Sequence, residues 1–261
     1  MYSIRRFCRM AVTTTCPLCG LRSRGGDLCP GCLADLVPGV PGAGRCARCA
    51  LWLDASLLAR LPATDQCDEC VSPRAPERGI ARTIAVIDYA YPGDMLITAL
   101  KERGRIEVAA MLGRLIAQAI CSPLASLPPL GAIVPVPAAP ASLRRRGFNP
   151  AAEIARAVSS ATGVPLRRNW LTSERATASQ KTLGRRARWR APVGSFAAST
   201  VLPEVWVGLV DDVMTTGSTL HHAASVLREA GAAGVVGLVA ARTPAPLWHN
   251  IGHVRRDSGS T

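Results

Sequence analysis

The residues best suited to chemistry are Asp211 and Asp212, followed within seven residues by Thr215, Thr216, Gly217, Ser218 and Thr219. Consecutive backbone N–H groups of that Thr/Gly/Ser run can converge on one anion at the positive end of a helix dipole. The four hydroxyls add donors, and Gly217 relieves the backbone. Two adjacent carboxylate acceptors just ahead of such a cradle match the two hydroxyls of a ribose 5-phosphate. The loop has no Lys of the Walker A kind, so a nucleoside-triphosphatase reading fails. The plainer alternative is a Thr- or Ser-capped helix start with the acids merely solvated.

A second constellation is made of cysteines. Of ten in the chain, eight form four Cys-x-x-Cys pairs: Cys16 with Cys19, Cys29 with Cys32, Cys46 with Cys49 and Cys67 with Cys70. Each pair spans a tight turn that aims two sulfurs at one ion, and Gly20 suits such a knuckle. Four thiolates make a closed tetrahedral site, so eight imply two structural Zn2+ sites without an open position for catalysis. Gaps of nine and seventeen residues favour sequential sharing between the pairs, with interleaving left open. In so small a segment, metal would supply most of the folding free energy, on the order of 10 kcal/mol per site. A redox role for one pair is the rival, against which four similar pairs argue. Docking to a partner or to DNA, or structure alone, all remain open for this region. Cys8 is spare in the pattern, and Cys121 closes an apolar helix face as a buried thiol.

These residues need elements to position them. The apolar run 205–210 suits a strand buried on both faces of a parallel sheet, ending where the two acids begin. A helix over 220–231 follows, with Leu220, Ala223, Ala224 and Leu227 on its apolar side. Upstream, strands are expected over 83–89, 131–136 and 164–171, and a last one over 235–241. Helices are expected over 95–102, 106–121 and 150–162, the last begun by Asn149 as N-cap and Pro150. A basic stretch over 172–190 carries a short helix near 182–188. Alternating strands and helices imply an α/β fold with a doubly wound, mostly parallel sheet and ligands at the carboxyl ends of its strands. The expected organisation is a lead-in (1–15), a Cys-rich domain (16–72), the α/β domain (79–243) and a tail (244–261).

Composition bounds the partners. A net charge of +13 and a pI near 10.0 favour a polyanion, either nucleic acid or an acidic membrane surface. The charge clusters: residues 144–190 hold twelve Arg and Lys against two Glu. No apolar run reaches membrane-spanning length, and the best helical candidate is interrupted by Arg114. Arg5-Arg6-Phe7 faintly suggests a twin-arginine signal, yet no apolar core follows, so a cytoplasmic location is expected.

The stretch 205–219 resembles the signature of type I phosphoribosyltransferases, which bind phosphoribosyl pyrophosphate (PRPP) with Mg2+. Together with the cysteine pairs, it makes the chain similar to the ComF competence-protein family, which joins a zinc ribbon to such a domain. The resemblance covers about residues 16–243. It also rests on Val134-Pro135-Val136-Pro137 followed by Arg146-Gly147-Phe148-Asn149. Further support comes from Arg175, Thr177, Gln180 and Leu183, and from Leu100-Lys101 ahead of Gly104-Arg105. The motifs stand in the family's order. The chain departs from the pattern at Pro150, where Gln is usual, at Glu102, where an aromatic is usual, and at Ala191, where Asn is frequent.

The resemblance implies that Asp211 and Asp212 hold the ribose, directly or through Mg2+, while residues 215–219 bind its 5-phosphate. It implies a pyrophosphate loop after Val134 with Arg144, Arg145 and Arg146 nearby, and a flexible loop carrying Arg175, Thr177 and Gln180. The implied chemistry is displacement of pyrophosphate at C1 of PRPP, with no residue marking the acceptor. His221 and His222 at a helix start read as exposed rather than catalytic. The implied role is DNA uptake during natural transformation, with DNA-uptake helicase machinery as a partner. The alternatives are a non-catalytic module gripping single-stranded DNA and a PRPP sensor. For the module, Trp170, Trp189 or Phe148 are candidate stacking platforms, with core packing as their plainer role.

Overall fold

The computed structural model describes residues 12–37, 44–53, 65–72, 79–173 and 196–244. The N-terminal region opens with a hairpin of β1 (Thr13–Thr15) and β2 (Arg22–Arg24), followed by α1 (Pro30–Leu36) and the single-turn α2 (Asp68–Val71). Next come β3 (Arg82–Asp88), α3 (Gly93–Arg103), α4 (Ile106–Ile120) and β4 (Leu130–Pro135). The chain continues through α5 (Pro140–Arg146), α6 (Pro150–Thr162), β5 (Leu171–Ser173) and β6 (Phe196–Ala198). It closes with β7 (Trp206–Met214), α7 (Ser218–Glu229) and β8 (Gly234–Arg242).

Four of these strands form one parallel sheet in the order β3-β8-β7-β4. All nine residues of β8 are buried, as a strand covered on both faces requires. Its side chains alternate between two cores. Val236, Leu238 and Ala240 join α3, α4 and α6 on one face. Val235 and Val239 join Leu220, Ala223, Ala224 and Leu227 of α7 on the other. The sheet is therefore doubly wound. Helices α4 and α6 approach so closely that a Cβ on Gly113 would lie 2.7 Å from the Ile154 carbonyl oxygen.

Three expectations are corrected. Residues 164–171 do not make a strand of the sheet. Pro165 O and Arg167 N exchange two backbone bonds with Ile133 (both 2.8 Å), Leu166 bridges to Ile133, and the chain then turns away. Pro165 has no N–H to extend the ladder, and the strand that follows, β5, pairs antiparallel with β6 outside the sheet. The second correction concerns β7, which runs through both acids to Met214. Its pairing with β4 stops at Val210, but β8 continues beside it to Met214. The third is Cys121, which caps α4 and is exposed.

The cysteine region packs onto this sheet rather than standing apart. Cys16, Leu28, Cys29, Leu36 and Val37 belong to the same core as α3 and α4. Arg114, the residue that interrupts the apolar run of α4, donates from Nε to Asp27 Oδ1 at 2.7 Å. The turn at 46–50 lies along the outer edge of β3: Thr83 N donates to Ala47 O (2.9 Å) and Thr83 Oγ1 to Arg48 O (2.8 Å). An edge strand is thereby covered. Among the described residues, no helix is long and apolar enough to cross a membrane.

Candidate functional site at the carboxyl edge of the sheet

Strand β7 delivers the candidate residues to the edge where α/β folds bind ligands. Residues 215–217 form a three-residue loop, and α7 starts at Ser218 with Gly217 as its N-cap, in the left-handed region at φ 83°. A Cβ there would collide with Met214 Cε and touch His221 Cδ2 at 3.4 Å, so this turn is built for glycine. Gly217 is buried, while Thr215, Thr216, Ser218 and Thr219 are exposed around it. Thr216 Oγ1 lies 3.1 Å from Ser218 Oγ and accepts from Ser218 N at 3.4 Å. The hydroxyls thus cluster over the first turn of a twelve-residue helix, where unsatisfied N–H groups favour an anion.

The two acids sit differently. Asp212 Oδ2 pairs with Lys101 Nζ at 3.0 Å, both side chains being largely enclosed. Asp211 Oδ1 accepts from the Asp212 backbone N–H at 2.8 Å. Burial, together with the neighbouring Asp212 carboxylate, pushes Asp211 up to about 8, so it carries a proton at neutral pH.

Helix α5 presents the arginines of the expected pyrophosphate loop. The segment forms a helix because Pro140 starts it and Gly147, left-handed at φ 78°, stops it. Arg144 and Arg145 are exposed and Arg146 half-buried. Arg145 and Arg146 approach Glu102 at 3.6 and 3.4 Å, and the Arg146 Nε is buried without a hydrogen-bond partner. Asn149 anchors the segment, accepting from Ala151 N (3.1 Å) and donating to Val136 O (2.9 Å). Arg175, Thr177, Gln180 and Trp189, with the helix expected near 182–188, lie outside the described residues.

Sequence reasoning named Lys101 and Glu102 only as motif positions, without these pairings, and missed a third participant altogether. Lys101 and Glu102, neighbours on α3, tie the acids of β7 and the arginines of α5 to one helix. The Leu100-Lys101 motif was the sequence signal for the first, and its partner Asp212 is 111 residues away along the chain. The third is Arg242 at the end of β8, which donates to Met214 O (3.1 Å), Thr215 O and Thr243 O (2.8 Å) beneath the loop. The histidines also differ from expectation: His221 and His222 are half-buried, not exposed. His221 lies against the place a Gly217 side chain would fill, and His222 packs on Phe196 with ring centres 5.7 Å apart. Trp170 and Phe148 are partly buried against the two cores, with Arg167 5.8 Å over the Trp170 ring.

The cysteines converge in two sequential groups, Cys16/Cys19/Cys29/Cys32 and Cys46/Cys49/Cys67/Cys70, each with its sulfurs within 4.8 Å of one another. Cys19 to Cys29 and Cys49 to Cys67 measure 3.6 Å between sulfurs. Tetrahedral Zn–S bonds of about 2.3 Å require sulfurs about 3.8 Å apart. None of the described cysteines is in a disulfide. Each group could hold a zinc ion.

A parallel sheet wound on both faces, with an acidic pair and a hydroxyl-rich loop at its carboxyl edge and cysteine knuckles on its flank, defines a doubly wound α/β protein with a candidate anion site. Comparison with known proteins narrows this class. The chain is 34% identical over 171 residues to the DNA utilization protein YhgH of Salmonella typhi, covering 65% of this chain and 74% of the relative. It is 33% identical over 180 residues to YhgH of Escherichia coli K12, covering 67% and 78%. To competence protein F of Haemophilus influenzae it is 28% identical over 155 residues, covering 58% and 68%. The chain belongs to the family of DNA utilization protein YhgH and competence protein F, the ComF family. No family model matches it. Among solved structures, the allosteric regulatory enzyme of purine biosynthesis aligns at a TM-score of 0.34 and 24% identity, covering 50% of this chain and 25% of that one.

Proposed function

We propose that the loop 215–219 with Asp211 and Asp212 binds PRPP as its Mg2+ complex, and that the protein is a phosphoribosyltransferase. The observation that carries this reading is the glycine-only turn between β7 and α7. Gly217 at φ 83° opens a helix N-terminus ringed by four exposed hydroxyls, directly after two acids. The 5-phosphate of the ligand takes the amides and hydroxyls of 215–219. The ribose hydroxyls take Asp211 and Asp212, and Arg144, Arg145 and Arg146 face the pyrophosphate. Mg2+, when bound, supplies positive charge to the leaving pyrophosphate.

In the reaction, the acceptor's lone pair forms a bond to C1 of the ribose. The C1–oxygen bond to pyrophosphate breaks, and pyrophosphate leaves with the electron pair. Positive charge spreads over C1 and the ring oxygen at the transition state, where the Asp212 carboxylate stabilises it and the arginines stabilise the departing oxyanions. Lys101 must release Asp212 as the ligand enters, and Glu102 must yield Arg145 and Arg146 to phosphate.

The cysteine groups are assigned to two structural Zn2+ ions. The relatives' names, with the +13 net charge, favour a role in DNA utilization and competence with single-stranded DNA as a partner, and the family resemblance adds DNA uptake in natural transformation, a cytoplasmic location and a DNA-uptake helicase as a partner. The same basic charge favours a second reading, a non-catalytic module that grips single-stranded DNA, in which PRPP is sensed rather than consumed. Incubation with Mg-PRPP and a broad panel of nucleobases and amines separates the two. Release of pyrophosphate with one acceptor supports the transferase. Binding of PRPP without release by any acceptor supports the sensor.

A further inference from the structure

We infer that Arg242 is a positioning residue that makes the second cysteine group and the loop 215–219 one mechanical unit, so that metal in that group sets the geometry of the anion cradle. The inference rests on the PRPP reading for its functional consequence, but not for its structural content. Arg242 is buried, at 7% exposed. A guanidinium so enclosed must find its hydrogen-bond acceptors within the protein. Its acceptors lie on two sides. Nε donates to Cys49 O at 2.9 Å, on the turn between two cysteines of the second group. Nη1 is shared among Met214 O, Thr215 O and Thr243 O. One planar group therefore spans from a metal-binding turn to the two residues that open the loop.

Each end also has bonds of its own, the turn to Thr83 and Asp65 and Met214 to β8, but among the described residues the Arg242 side chain joins one end to the other. The carbonyls of Met214 and Thr215 mark where β7 leaves the sheet, and Thr243 N donates to Met214 O at 3.0 Å. The turn at 46–50 is ordered by Ala50 N donating to Cys46 O (2.8 Å) and Cys67 N donating to Cys46 Sγ (3.3 Å). Four thiolates bound to one Zn2+ would also leave a net negative charge close to the guanidinium, which needs one. The group would hold Zn2+ through Cys46, Cys49, Cys67 and Cys70. Arg242 transmits the order of their turn to the cradle, because its planar fork fixes two directions at once and Lys cannot.

The test uses the full-length, zinc-loaded protein. Arg242→Lys keeps the charge and loses the fork. Thr83→Val removes a different bond to the same turn, the one from Thr83 Oγ1 to Arg48 O, without touching the loop. The readouts are zinc content, amide hydrogen exchange over 213–219 and affinity for Mg-PRPP. The expected result is that Arg242→Lys retains its zinc, exchanges faster over 213–219 and loses at least about tenfold in affinity, while Thr83→Val does none of these. Should Arg242→Lys fail to fold, graded zinc removal from the wild type replaces it. The second group's zinc must then leave with faster exchange over 213–219, while α4 and α6 stay protected. Unchanged loop exchange in both experiments overturns the inference, and so does an equal effect from Thr83→Val. If wild type binds no Mg-PRPP yet exchange responds as described, the coupling stands and the ligand assignment falls.

Discussion

Gly217→Ala is the substitution that separates the cradle from an ordinary helix cap. The native φ of 83° is in the left-handed region, which costs a residue with a Cβ about 1 kcal/mol more than glycine. The added methyl also collides with Met214 Cε and meets His221 Cδ2 at 3.4 Å. The Met214 end can swing aside, so the dominant cost is backbone strain, relieved only by rotating the loop and tilting the N–H groups of Ser218 and Thr219. About 1–2 kcal/mol of strain in the bound geometry corresponds to roughly a five- to thirtyfold loss of affinity. Calorimetric titration with Mg-PRPP measures this, and thermal melting measures the accompanying destabilisation. Gly163, left-handed at φ 80° with nothing within 4 Å of the position a methyl would take, provides the control. Gly163→Ala should lower the melting temperature without weakening binding. Equal affinities for wild type and Gly217→Ala, with stability reduced, would refute the assignment of the loop as the phosphate site.

Other outcomes follow from the same geometry. Lys101→Met removes the partner of Asp212 at 3.0 Å, and should cost roughly 1–2 kcal/mol in urea unfolding while raising affinity for Mg2+ alone. An unchanged Mg2+ affinity would mean that Asp212 is not a cation ligand. Asp211 is held at about 8 in the folded protein against an ordinary 3.8, so the folded state keeps a proton that the unfolded chain loses. Its contribution to stability is full below about pH 4, falls as pH rises to about 8 and is flat above. Asp211→Asn should flatten that slope in unfolding titrations between pH 5 and 8. Single-stranded DNA binding should weaken steeply with salt, log K falling by about 0.7 per neutralised phosphate for each decade of salt, and a flat response would reject backbone contacts.

The sheet and its central motif were legible because their signals are local and periodic. The four apolar residues of the 220–231 pattern are the four that α7 buries, and Asn149-Pro150 starts α6 as capping chemistry dictates. What escaped depends on partners distant in sequence. Strand β7 runs past its acids because β8, not its own composition, supplies the ladder there. The strand expected at 164–171 is confined to one bridge by Pro165 and the turn beyond it, over Arg168 and Asn169. Lys101 and Arg242 acquire meaning only when α3 and β8 bring them to β7, 111 and 28 residues along the chain from their respective partners at Asp212 and Met214. Cysteine spacing fixed a preference for sequential groups, and the folding of the 46–50 turn along β3 shows why the second lies against the sheet.

The central claim is that one pocket at the edge of β7 and α7 takes an activated ribose phosphate. Its most direct test is calorimetric titration of the zinc-loaded protein with PRPP, with and without Mg2+. The account predicts saturable binding of one PRPP per chain that requires Mg2+ and vanishes in the Asp211→Asn, Asp212→Asn double variant. Binding that persists undiminished in the double variant, or no binding by the folded, metal-loaded wild type, would contradict it.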